Sequence, residues 1–190
     1  MARRARRGRQ RGSVLVEAAI IFPVLLMVTF GMIEYGLAFM SASTTSSATR
    51  SGARIASTAY APAVRSGTAN GVIDQVRLAV EDDLKALSRA TPVKLWMYRA
   101  DPSSPGGAPT GSPNFTTCTT NCIRWTWDGN HFASRAGTWP SPTACGSTLD
   151  SVGIYVQVRH EFLTGFFGNG KTISEHTVMR IEPLPTDQCP

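Results

Sequence analysis

The sequence predicts an α+β fold in which a long N-terminal transmembrane helix precedes a small antiparallel sheet packed on a helix. Three patterns predict it: an apolar run near the N-terminus, one stretch of helical periodicity, and several short segments rich in β-forming residues. The chain has 190 residues. Once a leader and an apolar helix are set aside, this length leaves room for one small domain.

The excess of positive charge is confined to the N-terminus. The formal net charge is +6, and six arginines lie in the first eleven residues: Arg3, Arg4, Arg6, Arg7, Arg9 and Arg11. The other 13 Lys and Arg residues balance 13 Asp and Glu residues, so the body of the chain is neutral. A nucleic-acid-binding domain carries its basic surface on the folded part. We therefore expect no nucleic-acid partner.

An apolar run extends from Val14 to about Met40 and carries no charge between Ala18 and Ile33. As a helix it is about 40 Å long, which exceeds the roughly 30 Å hydrocarbon core of a bilayer. Arginines before the run predict a single-pass protein of the cell membrane, with a cytoplasmic N-terminus and an extracytoplasmic C-terminal domain. The competing interpretation is a cleaved secretory signal peptide. Its apolar region is usually shorter, and Ser41-Ala42-Ser43 is a poor match to the cleavage site.

Glu17 lies near the start of this run, where a carboxylate is costly and needs a partner. The segment from Arg11 to Pro23 reads RGSVLVEAAIIFP. It resembles the N-terminal motif of the TadE-like pseudopilins of the tight-adherence (Tad/Flp) pilus. In that motif a glycine precedes the cleavage point, a glutamate is the fifth residue of the mature chain, and a proline follows six positions later.

The resemblance implies a pilin-like fold and a cut by a prepilin peptidase between Gly12 and Ser13 that leaves the hydrophobic helix attached. The new amino group of Ser13 would lie about one helical turn from Glu17 and pair with it. Glu17 and Pro23 are then helix-assembly residues. The implied function is a minor pilin or pseudopilin in pilus assembly or adhesion, with other pilin-like subunits and the assembly machinery as partners. The alternative is a signal-anchored or secreted disulfide-bonded binding domain.

Four segments follow from these patterns: a basic leader (1–12), a transmembrane helix (13–40), its continuation (41–62) and an extracytoplasmic α+β domain (63–190). Pro23 is expected to kink or loosen the helix, and Pro62 to end or bend it. Glu34, beside Tyr35, is expected to be an interfacial carboxylate next to an aromatic belt residue. The small residues after Ser41 suit either close helix packing or a solvated alanine-rich helix.

The extracytoplasmic domain is predicted to contain a second helix and four strands. Residues 71–90 form an amphipathic helix capped by Asn70, with apolar residues Ile73, Val76, Val80, Leu84 and Leu87 on one face. The strands are predicted at 93–99, 123–127, 153–162 and 172–182. Residues 101–117 and 128–150 are predicted to be irregular loops, the first with no packed structure.

Residues Gly165 to Thr172 satisfy the phosphate-binding pattern G-x-x-x-x-G-K-[ST]. Such a loop must open a helix, but the residues from Thr172 to Glu182 favour a strand. We therefore expect no nucleotide partner, and expect Asn169-Gly170 to form a hairpin turn with positive φ at both residues.

Four cysteines lie beyond the apolar run, and their even count in an exported domain predicts two disulfides. Their connectivity stays open; pairing of Cys118 or Cys122 with Cys145 is favoured, with Cys189 holding the C-terminal tail. A rival is a metal site using Cys118 and Cys122 with one of three histidines, but its spacing is loose. We expect no metal, no cofactor and no enzymatic activity, since no nucleophile, base and acid constellation can be assembled.

Overall fold

The structure is a computed structural model that describes residues 5–166 and 168–189, with side chains from residue 12 onward. The described part contains α1 (Ala5–Arg65), α2 (Ala69–Leu84), β1 (Ala90–Arg99), β2 (Cys122–Trp127), β3 (Phe132–Ala136), β4 (Ser151–Glu161) and β5 (Gly170–Arg180). Short 3-10 turns occur at Pro105–Gly107 and Thr186–Gln188. Of the predicted leader, residues 1–4 and the side chains of residues 5–11 lie outside the described part.

Helix α1 is 61 residues long and continues through both Pro23 and Pro62. Of the two predictions for Pro62, an end or a bend, the end is wrong, because the helix runs on to Arg65. The actual end is a glycine stop: Gly67 has a φ of 75°, and the Thr68 N–H donates to the Ala63 carbonyl at 2.8 Å. This arrangement is the Schellman motif, which needs a left-handed residue that glycine adopts without strain.

Small side chains on the distal part of α1 allow α2 to lie close against it. Ala48, Ala53 and Ala56 are fully buried there. A Cβ on Gly52 would come within 2.7 Å of the Val80 Cγ2 atom in α2. The small residues therefore serve close packing within the chain rather than a solvated helix surface.

Helix α2 covers the sheet with the apolar stripe that the sequence predicts. Its buried residues are Ile73, Val76, Val80 and Leu84. The helix ends at Leu84, short of the predicted residue 90, because the chain must turn there to enter β1 at Ala90. Thr68 is the N-cap residue and Asn70 lies inside the helix, so the predicted Asn70 cap is wrong.

The five strands form one antiparallel sheet in the order β3-β2-β1-β4-β5. The α+β fold class and the four predicted strands are confirmed. The fifth strand, β3, lies inside residues 128–150, which the sequence predicts to be irregular. It is anchored by Phe132, whose side chain is buried and whose N–H donates to the Glu81 carboxylate in α2 at 2.6 Å.

Both faces of the sheet are covered. One face packs on the two helices through the main core, which includes Leu95, Met97, Trp125, Ile154, Val156 and Val158. The other face presents Trp96, Tyr98 and Tyr155. Phe115 from the 101–117 loop stacks on Tyr155 with ring centroids 5.1 Å apart. The prediction that this loop has no packed structure is wrong, because an aromatic sheet face has to be shielded from water.

The four cysteines form two disulfides, Cys118–Cys122 and Cys145–Cys189. The favoured pairing of Cys145 with Cys118 or Cys122 is therefore wrong, although Cys189 does hold the C-terminal tail. The local bond closes the turn before β2, and the long bond joins the loop before β4 to the chain end. Because Cys118 and Cys122 bond each other, the rival metal site loses its thiolate ligands. Within the described residues no group of three or more His, Cys, Asp or Glu side chains is placed to hold a metal ion.

Candidate functional site

The residues of the predicted cleavage and assembly motif lie on exposed turns in the N-terminal part of α1. Apart from the adjacent backbone of α1, no atom of the described residues lies within 4 Å of the position that a Cβ on Gly12 would occupy. The Ser13 Oγ and Glu17 Oε1 atoms are 3.5 Å apart. The structure thus places Ser13 and Glu17 on one face, a turn apart, as their spacing requires. Pro23 lies further along the same helix.

The apolar run of α1 stands clear of the folded domain. Its most apolar window of 18 residues has a mean hydropathy of 2.3, and none of that window is buried. Leu15 is 70% exposed and Ile20 is 67% exposed. The 20 residues from Val14 to Ile33 make a helix about 30 Å long, which matches the hydrocarbon core of a bilayer. This helix is a candidate membrane span.

Glu34 ends this exposed run and is one of the most deeply buried residues, with 1% of its surface exposed. Its Oε2 atom accepts the Leu163 N–H at 2.8 Å. Its Oε1 atom accepts the N–H and the hydroxyl of Thr164 at 2.5 and 2.8 Å. The prediction of an interfacial carboxylate did not include this burial against the β4–β5 loop. Three donors replace the water that a carboxylate normally binds, which allows it to be buried.

Ser41 lies two turns beyond Glu34 and binds the end of β4. Its Oγ atom is 3.0 Å from His160 Nδ1. The Ser41 hydroxyl donates to the Leu37 carbonyl at 3.1 Å, which leaves its lone pairs to accept a hydrogen bond from the Nδ1–H group. His160 is fully buried and its Nε2 atom has no hydrogen-bond partner. Burial lowers the pKa of His160, with the nearby Glu34 carboxylate opposing this shift and Arg89 adding to it.

A third polar contact completes a stripe along α1. The Thr49 and Thr177 hydroxyls are 2.8 Å apart, joining α1 to β5. Glu34, Ser41 and Thr49 are spaced by seven and eight residues, which places them on one face of a helix. This stripe attaches the β4–β5 hairpin to α1. The spacing was the available sequence signal, but the partners of the stripe lie more than 110 residues away and no local pattern indicates them.

The G-x-x-x-x-G-K-[ST] pattern falls in the β4–β5 loop, residues 162–169, and the start of β5. A strand, Gly170–Arg180, follows it instead of a helix. The helix N-terminus that would hold a phosphate is thus missing at this place in the chain. The loop turns through Gly165 and Gly168, with φ of 70° and 96°. Asn169 does not have positive φ, so the expected two-residue turn at Asn169-Gly170 is wrong.

These features define a class of protein in which one helix supplies both a candidate membrane span at its start and the scaffold of a small α+β domain at its end. Residues 12–54 match the model of a protein family described as TadE-like protein. The resemblance drawn from the Arg11–Pro23 motif is confirmed for this segment, which the match associates with tight-adherence pilus systems. No curated protein and no solved structure matches the chain.

Proposed function

We propose that this protein is a minor pilin or pseudopilin of a tight-adherence pilus. A prepilin peptidase cleaves it between Gly12 and Ser13, and its hydrophobic N-terminal helix packs with other pilin-like subunits. It acts as a structural subunit and not as an enzyme. The observation that carries the proposal is the match to TadE-like proteins, which begins at Gly12 and covers the exposed apolar helix.

The exposed part of α1 supports packing with lipid and with other helices. Apolar side chains exposed over about 30 Å of helix are unfavourable in water. A bilayer covers them before assembly, and neighbouring helices cover them in a filament. The arginines of residues 1–11 favour a cytoplasmic N-terminus, and two disulfides suit a domain outside the reducing cytoplasm.

The positions of Ser13 and Glu17 support a role for the new N-terminus. Cleavage after Gly12 gives Ser13 a positive amino group, on the turn of helix that also holds the Glu17 carboxylate. Two opposite charges at this distance compensate each other, which lowers the cost of placing either one in an apolar surrounding. The same carboxylate has room to pair with the N-terminus of a neighbouring helix, because its side chain is exposed.

The contacts of α1 also support a helix that is retained after export. In the secreted form of the competing function, a signal peptide is cut near Thr44 and a free binding domain is released. That cut removes both Glu34 and Ser41, which hold the β4–β5 loop and His160. A released domain would keep a buried histidine and two loop amides without their partners, at a cost to stability.

Mass spectrometry of the membrane-extracted protein tests the cleavage. Coexpression with a prepilin peptidase is expected to yield a chain that begins at Ser13 and keeps the apolar helix. Gly12→Val should block the cut, while Gly36→Val should not. Both glycines are helical and both have open space where a Cβ would lie, so the two variants differ in position and not in folding cost. A mature chain that begins near Thr44, or a chain that keeps its leader in the presence of the peptidase, would contradict the proposal.

Glu17→Gln tests the assembly role of the carboxylate. Glutamine keeps the size of the side chain and removes its charge, so the Ser13 amino group loses its counter-charge. We expect fewer subunits in sheared pilus fractions, with Asp82→Asn, at an exposed site on α2, as the control. If processing, membrane extraction and filament formation are all unchanged in Glu17→Gln, the proposed role of the helix is wrong.

A further inference from the structure

The described residues of the β4–β5 loop include two large apolar side chains that the folded domain leaves exposed. Leu163 is 54% exposed and Phe166 is 68% exposed. They lie in the turn between two strands whose other ends point toward the distal end of α1. A turn in water normally carries polar residues, so these two side chains need another explanation.

The position of this loop is fixed by Glu34. The carboxylate binds the Leu163 and Thr164 backbone, and Glu34 directly follows the exposed apolar stretch from Val14 to Ile33. Because that stretch is about as long as the hydrocarbon core is thick, Glu34 lies at the outer boundary of the core. The loop that it binds therefore lies at the same depth, where the headgroups meet the acyl chains.

The surroundings of the loop match such a boundary. On α1, Met32 and Tyr35 are 71% and 59% exposed, so the turns of α1 around Glu34 also expose large side chains. Basic groups flank the loop: Lys171 pairs with His160 in the strand register, and Arg89 Nε donates to the Glu161 carbonyl at 3.4 Å. Glu161 and the buried Glu34 carboxylate offset these two basic groups, so the contact with lipid depends on the apolar side chains.

We propose that the β4–β5 loop is a second membrane contact, which inserts Leu163 and Phe166 into the outer leaflet of the bilayer that holds α1. This inference rests on the membrane anchorage within the proposed function. Two contacts, the span and the loop, hold the domain upright at a fixed height on the membrane. The Glu34 carboxylate positions the loop, and the apolar side chains make the contact with lipid.

The test places an environment-sensitive fluorophore on the loop of the full-length protein. Phe166→Cys is labelled with NBD and reconstituted in vesicles of equimolar phosphatidylcholine and phosphatidylglycerol. The added cysteine is the only free thiol, because all four native cysteines are in disulfides. We expect emission at shorter wavelength than in water, and quenching by lipids that carry bromine near the headgroup end of their acyl chains.

Leu78→Cys is the matched control. Leu78 is also an apolar residue and is 53% exposed, but it lies on α2 near the level of Gly52, about 27 Å beyond Glu34 along α1. Its label should show water-like emission and no lipid quenching.

Two results would overturn the inference. The first is a label at residue 166 that is as water-exposed as the label at residue 78, in protein that resists carbonate extraction. The second is a shift that disappears when the protein is diluted with excess lipid, since the loop would then contact a second copy of the chain. Loss of the protein on carbonate extraction would overturn the anchorage itself, and would be seen before any fluorescence is read.

Discussion

Glu34 and Thr164 are 130 positions apart in the sequence, and the Thr164 N–H and hydroxyl both donate to one carboxylate oxygen of Glu34. This contact joins the end of the apolar helix to the turn of a hairpin whose strands form one edge of the sheet. The domain is therefore attached to its candidate membrane span at the membrane-proximal end as well as along the distal helix. A displacement of the span relative to the hairpin would have to break this contact.

Glu34→Ala should loosen the β4–β5 loop without unfolding the domain. The substitution leaves the Leu163 and Thr164 amides without an acceptor, so they have to bind water. We expect their hydrogen exchange to speed up by on the order of tenfold or more, while amides in the middle of β4 are unaffected. Glu34→Gln keeps one acceptor oxygen and should give an intermediate rate.

The control for this measurement is Asp82→Ala, which removes an exposed carboxylate that pairs with Lys85 on the surface of α2. Its effect on exchange in the loop should be absent, because surface substitutions far from a contact act only locally. Unchanged exchange at Leu163 and Thr164 in Glu34→Ala would show that the loop does not depend on the carboxylate.

The two disulfides should contribute unequally to stability. The Cys145–Cys189 bond spans 44 residues and the Cys118–Cys122 bond spans 4. Loop-closure entropy predicts a loss of about 4 kcal/mol for the first bond and about 2 kcal/mol for the second. Chemical denaturation of the Cys145→Ser/Cys189→Ser and Cys118→Ser/Cys122→Ser double variants checks this order. Equal losses would mean that the unfolded chain is not restrained by the long bond.

Features encoded by local patterns were predictable from the sequence. The Ser13–Glu17 spacing, the apolar run and the stripe Ile73, Val76 and Val80 each depend on residues within a few turns of one another. Strand β4 was predictable because its buried side chains Ile154, Val156 and Val158 alternate along the chain with side chains that point to the other face of the sheet. For α2 and β4, the period of the hydrophobic pattern is itself the structural information.

Features that depend on distant partners were not predictable. Strand β3 has only five residues, too few for a periodic signal, and Glu81 of α2 anchors it. The Glu34 carboxylate finds its donors in backbone amides, which no side-chain pattern marks. The 101–117 loop looked unpacked by composition, because its role depends on the aromatic face formed by Trp96 and Tyr155 in other segments.

Lys171→Ala should leave pilus assembly largely intact. In a phosphate-binding loop this lysine would contact the nucleotide, but here it is the second residue of β5 and is exposed. Its loss removes at most about 1 kcal/mol of attraction to anionic headgroups, which is small beside the anchoring by a whole span. Sheared pilus yield of the variant checks this. Abolished assembly with a folded domain would reopen the nucleotide interpretation.

Acid should destabilise the domain through His160. Burial lowers the pKa of this histidine in the folded state, and its ordinary pKa is about 6.5 in an unfolded chain. Below about pH 6.5 the unfolded state therefore binds a proton that the folded state does not, so stability falls as the pH is lowered and is regained as it is raised. The unpartnered Nε2 atom agrees with this direction, since a proton there would have no acceptor.

His160→Asn isolates this effect. Asparagine keeps a donor for Ser41 but does not titrate, so the variant is less stable at every pH and loses part of the decline between about pH 7 and pH 5.5. His131→Gln is the control: it removes an imidazole that is 56% exposed and paired with Asp128, away from the His160 contacts, and should keep the decline. Urea denaturation of the three proteins across this range gives the slopes. If His160→Asn retains the full slope, the acid sensitivity arises from carboxylates elsewhere, and the contact between Ser41 and His160 holds the hairpin on α1 without responding to pH.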